Sequence, residues 1–561
     1  MKRIASLLLL AALVLSLAAC SSGGNTTQQS GSDVDTLVSE YGFQWTDPDA
    51  PILNDAGAQA ISFNIYSSKN ASALDYNDMK IMQDLYESTN VYVNWENVSE
   101  SVYAQQKNLI FGNAADRPDA IYHAGMSAGE IIKYAQRNVL LPISDYLEYM
   151  PNFSKILEER PDIKSLLTSE DGKIYSLPRV EEMGLLQNPN LLFLNKNWAQ
   201  QAVDAGAVSG ITDADLVDGL TLTADQMEQM LTYFRDNDMN GNGAADDERP
   251  LSFVYNNWQG NQCDLYGMFG LNDNLEHRVV VDGKITYTVQ DDRFKDATNF
   301  IANWVSEGLI DPVSFEQSQD NFLANGKGLE TYGAFYWWES ETVVSNPENY
   351  IVCAPLVGPD GDQTICVSNN PEIGTDEVII FNGVPNVEVL LAYFDRYYDP
   401  IISAQINYGP IGIVYEEELD ENGMLVQKEL TGDVTADELR LQNAPLGIIY
   451  LSDYAWENVV HMEPRAQLRL ERLDAYATPY VPEGVKPTPN LQFTLEELNT
   501  LSSYESNLND YIRTNLIQWL INGGVSDDQW ATFQEDLNGR TNLPAIQEVY
   551  QAAYDRYTAN T

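Results

Sequence analysis

The 561 residues carry 83 Asp and Glu against 31 Lys and Arg, a formal charge of −52. That balance excludes nucleic acid, which needs clustered positive charge, and argues against docking along an anionic membrane. The length exceeds what one compact core serves, so two lobes are expected, and 10 Trp with 32 Tyr supply core area as well as rings able to stack on sugar faces.

The chain opens on Lys2-Arg3, an apolar run from Ile4 to Leu17, and then Ala18-Ala19-Cys20. This reads as a secretory signal ending in a lipobox, with cleavage before Cys20 and a diacylglycerol on its thiol. The run is shorter than a bilayer-spanning helix, which makes an uncleaved anchor the weaker reading. Residues 1–19 are therefore the expected signal peptide and 20–50 a polar tether with nothing to pack. A lipid-anchored protein on the extracellular face of the cell membrane follows. Cys263, Cys353 and Cys366 remain, too few for a disulfide scaffold. Cys353 and Cys366 flank a turn-rich stretch and admit either a pair across a hairpin or two buried thiols.

Apolar alternation predicts a strand over Ala60–Tyr66, a helix over Asn77–Ser88, a second strand through Val91, Val93 and Trp95, a helix through Lys107 and Ile110, and a third strand over Pro118–Tyr122. This βαβ series implies an α/β fold with a mostly parallel sheet. Ligands of such sheets sit beyond the carboxyl ends of the strands, which marks Tyr66 and His123. Taken singly, each also reads as packing or as a hydrogen-bonded loop residue.

After Thr221 or Thr223 a helix runs through Met227, Leu231 and Phe234. It ends in Asp236-Asn237-Asp238-Met239-Asn240-Gly241-Asn242-Gly243-Ala244-Ala245-Asp246-Asp247-Glu248, where oxygen side chains recur at every second position. Hard Ca²⁺ takes six to eight oxygens, and this alternation turns them around one centre. One register starts at Asp236. The preferred one uses Asp238, Asn240, Asn242, the Ala244 carbonyl, Asp246 and Asp247, with a structural role in bracing a long loop. An acidic turn without an ion is the alternative.

Asp282-Gly283 suits the two-residue turn of a hairpin. Phe335-Tyr336-Trp337-Trp338-Glu339 suits a sugar platform, because indole faces cover apolar patches of sugar rings and Glu339 accepts from hydroxyls. Successive side chains of a strand point opposite ways, so one Trp faces the ligand and the other is core. Thr494 and Glu497 form a capping box for a helix to about Leu501, and helices over 504–522, 527–537 and 545–557 follow.

Several patterns in this order carry a resemblance. Phe111-Gly112-Asn113 precedes Arg117-Pro118-Asp119; Asp171 to Pro178, Leu192 to Trp198, Asp238 to Pro250, Gly308 to Pro312, and Asn407-Tyr408-Gly409 to Tyr415 follow. Together they resemble the extracellular solute-binding lipoproteins of carbohydrate ABC importers, of the long Gram-positive type. The Asp238 loop departs from the family pattern in Ala244-Ala245 and in one residue added before Pro250. The resemblance implies a periplasmic-binding-protein-like fold: two discontinuous lobes, joined by hinge segments, with the ligand between them. Crossings are expected near residues 180, 367 and 445. That places 51–180 plus 368–445 in lobe 1 and 181–367 plus 446–561 in lobe 2.

The function so implied is capture of a sugar or oligosaccharide and delivery to the membrane subunits of an ABC permease, by a monomer with no catalytic residues. Candidate contacts are Tyr66, His123, Arg179, Trp258, Trp337, Trp338 and Glu339. A surface glycosidase with two carboxylates is the rival. The chain lacks G-x-S-x-G, H-E-x-x-H and a Gly-rich phosphate loop, and it holds only 3 His. A calcium-stabilised adhesin is a third reading, resting on the Asp238 loop alone.

Overall fold

The computed structural model describes residues 61–561 apart from 115–116, 187–189, 245, 370 and 430–434. Before them it describes three short antiparallel strands, Leu37–Val38, Phe43–Trp45 and Ile52–Asn54. The expected signal and Cys20 lie outside the described residues.

Ten strands build the two sheets that frame the molecule. They are β1 (Ile61–Lys69), β2 (Val91–Ser99), β3 (Ala120–Tyr122), β4 (Ser176–Glu181), β5 (Leu191–Asn195), β6 (Arg249–Ser252), β7 (Tyr332–Trp337), β8 (Tyr350–Cys353), β9 (Ile373–Ile380) and β10 (Tyr450–Leu451). The first sheet runs β10-β4-β9-β3-β1-β2 and the second β8-β5-β7-β6.

The βαβ reading holds where the chain stays in one lobe: β1 pairs parallel with β2 and with β3. Between β1 and β2 lies the helix Lys80–Thr89, whose Ile81, Met82 and Leu85 face the core. Asn90, at φ 56°, takes the left-handed turn that closes it. Neither sheet is parallel throughout. β9 runs antiparallel to β3 and β4, and β5 runs antiparallel to β7 and β8. The reason is topological, since a strand re-entering a sheet from the other lobe has no crossover helix to set it parallel.

The chain passes between the sheets after β4, between β8 and β9, and after β10. Because β10 pairs with β4 in the first sheet, we place the third passage between Leu451 and Pro464, later than residue 445. The first core gathers around Ile65, Phe153, Leu391 and Ile449. The second extends from the β5–β7 sheet into the C-terminal helices, where Trp519 and Trp530 are packed.

The helix capped by Thr494 does not stop at Leu501; it is one helix, Leu495–Ile521. The helix continues through Ser502 and Ser503, whose hydroxyls turn back to the Asn499 carbonyl at 3.1 and 2.7 Å, because no Gly or Pro interrupts the ladder. Asp282 and Gly283, at φ 49° and 77°, make the expected two-residue turn between Arg278–Val281 and Lys284–Tyr287. Cys263, Cys353 and Cys366 are buried and form no disulfide; Cys366 Sγ accepts from Asn190 Nδ2 at 3.6 Å. No helix among the described residues is long and apolar enough to cross a membrane.

Candidate functional site

A cavity of about 590 Å³ opens where the passages between the sheets converge. Glu181 and Met183 come from the end of β4, Glu372 from the start of β9, and Trp338 from the end of β7; Tyr408 and Arg440 line it from the first lobe and Arg469 from the helix Pro464–Tyr476. A second hollow of about 580 Å³ lies against the first sheet, walled by His123, Arg179 and Glu377. The two meet at Arg440.

His123 ends β3 with a left-handed backbone at φ 54°. Its Nδ1 lies 2.9 Å from a Glu377 oxygen and its Nε2 3.0 Å from the Pro445 carbonyl. Both neighbours accept, so the ring carries both protons. Burial opposes the imidazolium, but Glu377 and the carbonyl outweigh it and hold the pKa above the ordinary histidine value.

Glu181 is the hub of the cavity wall. It ion-pairs with Arg179 and accepts from Asn407 Nδ2, and the Tyr408 hydroxyl donates to it at 2.9 Å. Burial pushes its pKa up, yet Arg179 and Arg440 win and hold it at about 2. Arg440 lies 4.7 Å over the Tyr408 ring and donates to the Asn407 carbonyl at 2.6 Å. Glu372 is the opposite case. Burial dominates and lifts its carboxyl to about 7, although the backbone N–H groups of residues 184–186 donate to it. Two carboxyls on one cavity are therefore shifted in opposite directions.

The two tryptophans part as strand alternation requires. Trp337 is fully buried and its Nε1 donates to Thr342 Oγ1 at 3.1 Å. Trp338 lines the cavity, with the guanidinium of Arg469 4.1 Å over its ring. Trp258, 37 % exposed, stands edge-to-face with Trp338 at 5.5 Å.

Three other candidates are placed elsewhere. Trp337 is core. Tyr66 is buried against Tyr103 and donates to Gln106 at 2.7 Å, because β1 turns it toward the helix Glu100–Gly112 and away from both hollows. Glu339 is 1 % exposed, 3.2 Å from Arg465, and anchors that arginine's helix without opening to the cavity. The structure thus brings Trp258 and Trp338 together on one side and His123 and Arg179 on the other. Sequence reasoning missed Glu181, Glu372, Tyr408, Arg440 and Arg469. Only Tyr408 stood in a quoted pattern, and the i, i+4, i+7 spacing of Arg465, Arg469 and Arg472 was the remaining signal.

The Asp238 loop is curled around its first carboxylate. Asp238 accepts from the N–H groups of Gly241 and Gly243, both at 2.8 Å, and Asn240 Oδ1 accepts from the Asn242 N–H at 3.1 Å. Asn242 Nδ2 donates to Asp247 at 2.6 Å, while the other Asp247 oxygen is buried with no hydrogen-bond partner. Glu248 is engaged by the Met239 N–H at 2.8 Å, and Asp236 by Arg235 at 2.7 Å. The oxygen donor set and the orphaned Asp247 oxygen fit a hard divalent cation. Among the described residues no three His, Cys, Asp or Glu side chains form a metal cluster; the register adds the Asn240 and Asn242 amides and the Ala244 carbonyl to its carboxylates.

No family model matches the chain. Its sequence is 31% identical over 509 residues, 88% of this chain and 90% of the relative, to the fructooligosaccharide ABC transporter substrate-binding protein FusA of Streptococcus pneumoniae serotype 4. The structure of S. pneumoniae FusA in complex with kestose superposes with a TM-score of 0.78 at 30% identity, covering 89% of this chain and all of that one. A FusA EF-hand mutant in complex with fructo-nystose matches with the same TM-score at 29% identity and the same coverage.

Proposed function

The chain belongs to the carbohydrate-binding, substrate-binding proteins of ABC transporters, and from that premise we propose that its cleft captures a neutral fructooligosaccharide and hands it to a permease. The observation that carries this is the cavity between the sheets. It pairs the indole of Trp338 with guanidinium donors and carboxylate acceptors, the mixture that polyhydroxylated rings require. The relative that matches across nearly the whole chain is a fructooligosaccharide-binding protein.

Capture works by hinge closure. A sugar held by Trp338 and Trp258 on one lobe reaches His123, Arg179 and Arg440 on the other only when the lobes approach, so the closed state is favoured by the ligand's contacts to both. No covalent step is needed, and the carboxylates of the wall act as acceptors. A calcium ion in the Asp238 register, held by Asp238, Asn240, Asn242, the Ala244 carbonyl, Asp246 and Asp247, braces the loop before β6. The engagement of Asp236 and Glu248 elsewhere supports that register. The sequence pattern at Cys20 supports a lipid anchor on the outer face of the membrane.

Calorimetric titration and thermal unfolding with kestose, nystose, maltotriose and an oligouronate test this reading. Kestose or nystose should raise the unfolding midpoint and be recovered intact. Release of free fructose would replace capture by hydrolysis, and a preference for maltotriose or the oligouronate would discard the ligand class.

A further inference from the structure

The helix Pro464–Tyr476 presents Arg465, Arg469 and Arg472 along one face, one turn apart. The outer two are consumed by the segment that follows Trp338. Arg465 lies 3.2 Å from Glu339 and Arg472 3.2 Å from Glu341. These pairs hold the helix against the end of β7.

Arg469, between them, is different. It makes no hydrogen bond or ion pair to a described residue, and its main contact is the face of Trp338, 4.1 Å from the guanidinium carbon. Its Nε is buried without a partner, as are those of Arg465 and Arg472; what sets Arg469 apart is that its Nη groups have no partner either. Burial depresses its pKa, with Glu339 only partly offsetting this.

Taking a guanidinium out of water without a carboxylate is costly. A cation–π contact returns about 0.5 to 2 kcal/mol. A planar fork of donors set at the wall of a cavity and left unused by the protein is a group waiting for acceptors.

We propose that Arg469, held flat on Trp338, is the specificity-determining donor of the cleft, and that its Nη groups take the hydroxyl and ring oxygens of one sugar unit of a neutral oligosaccharide. This rests on the reading of the cleft as a sugar site. The acceptors are those of a neutral polyol, because the other cations of the cavity are engaged. Lys428 donates to the Gly412 carbonyl at 2.7 Å, Arg440 to Asn407, and Arg465 pairs with Glu339. The wall also carries Glu181, Glu429 and Glu463. An anionic ligand would meet those carboxylates, while a hydroxyl accepts from Arg469 and donates to a carboxylate at once. Trp338 has a double part: it fixes the plane of the guanidinium and walls the ring that the guanidinium holds.

The test is titration of the purified wild-type protein and its R469M, R469K and R472M variants with kestose, nystose and an oligouronate, with thermal unfolding of each. R469M should weaken kestose binding roughly 50-fold, the loss of hydrogen bonds to a charged donor. Its unfolding midpoint should hold or rise, because a partly buried guanidinium with no carboxylate partner is gone. R469K should lose most of the affinity as well, since a point charge lacks the fork. R472M should lower the midpoint and leave kestose affinity within about threefold, a range set by its role in holding the helix and not the ligand.

If wild type binds kestose and R469M binds it equally well, the assignment of Arg469 falls while the sugar reading stands. If R472M costs as much affinity as R469M, helix placement and not the Arg469 donors decides, and the proposal also falls. Wild type that binds only the oligouronate, or no sugar, overturns both.

Discussion

Tyr408 donates its hydroxyl to Glu181 at 2.9 Å, across 227 residues of sequence. This bond ties the end of β4, where the chain leaves the first sheet, to the last turn of the helix Pro400–Tyr408. The cavity wall and the first passage are thereby one unit.

Replacing Glu181 by Gln leaves the partly buried Arg179 without its ion-pair partner and should destabilise the protein by roughly 2 kcal/mol at neutral pH. Because the folded pKa is depressed to about 2, the stability that Glu181 supplies is full above the ordinary carboxyl range and is lost as pH falls toward that value. Urea unfolding of wild type and E181Q between pH 7 and 3 should show the gap closing as acid is added. A gap that stays constant would mean that Glu181 is not held ionised.

Glu372 has the opposite sign. Its folded pKa is raised to about 7, so the folded state binds the proton more tightly than the unfolded chain. Its penalty is absent below the ordinary carboxyl pKa and grows as pH rises through the window up to about 7. Scanning calorimetry from pH 5 to 8 should show the midpoint falling in wild type, with a loss on the order of 2 kcal/mol assigned to this group. E372Q should flatten that part of the slope. An unchanged slope would move the effect to other buried acids, such as Asp395, which burial lifts to about 7.

The adjacent tryptophans should separate stability from binding. W337A opens a cavity in a fully buried cluster and should cost about 3 to 5 kcal/mol in urea unfolding. W338A removes the indole at the cavity wall and the seat of Arg469; it should lose kestose binding while costing less stability. Equal losses of stability in the two variants would contradict the placement of Trp338 at the wall.

Chelation tests the Asp238 loop. Calcium present at about a hundred times its dissociation constant adds roughly 2.7 kcal/mol to a fold that binds it only when native. The chelator should therefore lower the wild-type midpoint, and D247N should be lower at the outset and insensitive to chelator. A wild-type midpoint that ignores chelator would leave the loop an acidic turn.

Local chemistry alone determined a good deal of this protein. Apolar alternation marked β1 and β2, Thr223 and Thr494 announced their helices, and Asp282-Gly283 made its turn, because each depends on residues within a few positions of one another. The same holds for the oxygen alternation that begins at Asp238 and for the opposite facing of Trp337 and Trp338. The order of short motifs was enough for the family. Tertiary structure decided the rest. It set β9 antiparallel between β3 and β4, paired β10 with β4, turned Tyr66 inward and buried Glu339 under Arg465. It also chose the partners of Glu181, left Arg469 without one, and set Glu372 against the backbone of residues 184–186. The physical reason is range. Periodicity reports which face of an element is apolar, but a charged side chain finds its partner only where three passages between two lobes bring distant segments together, and no local pattern records that meeting.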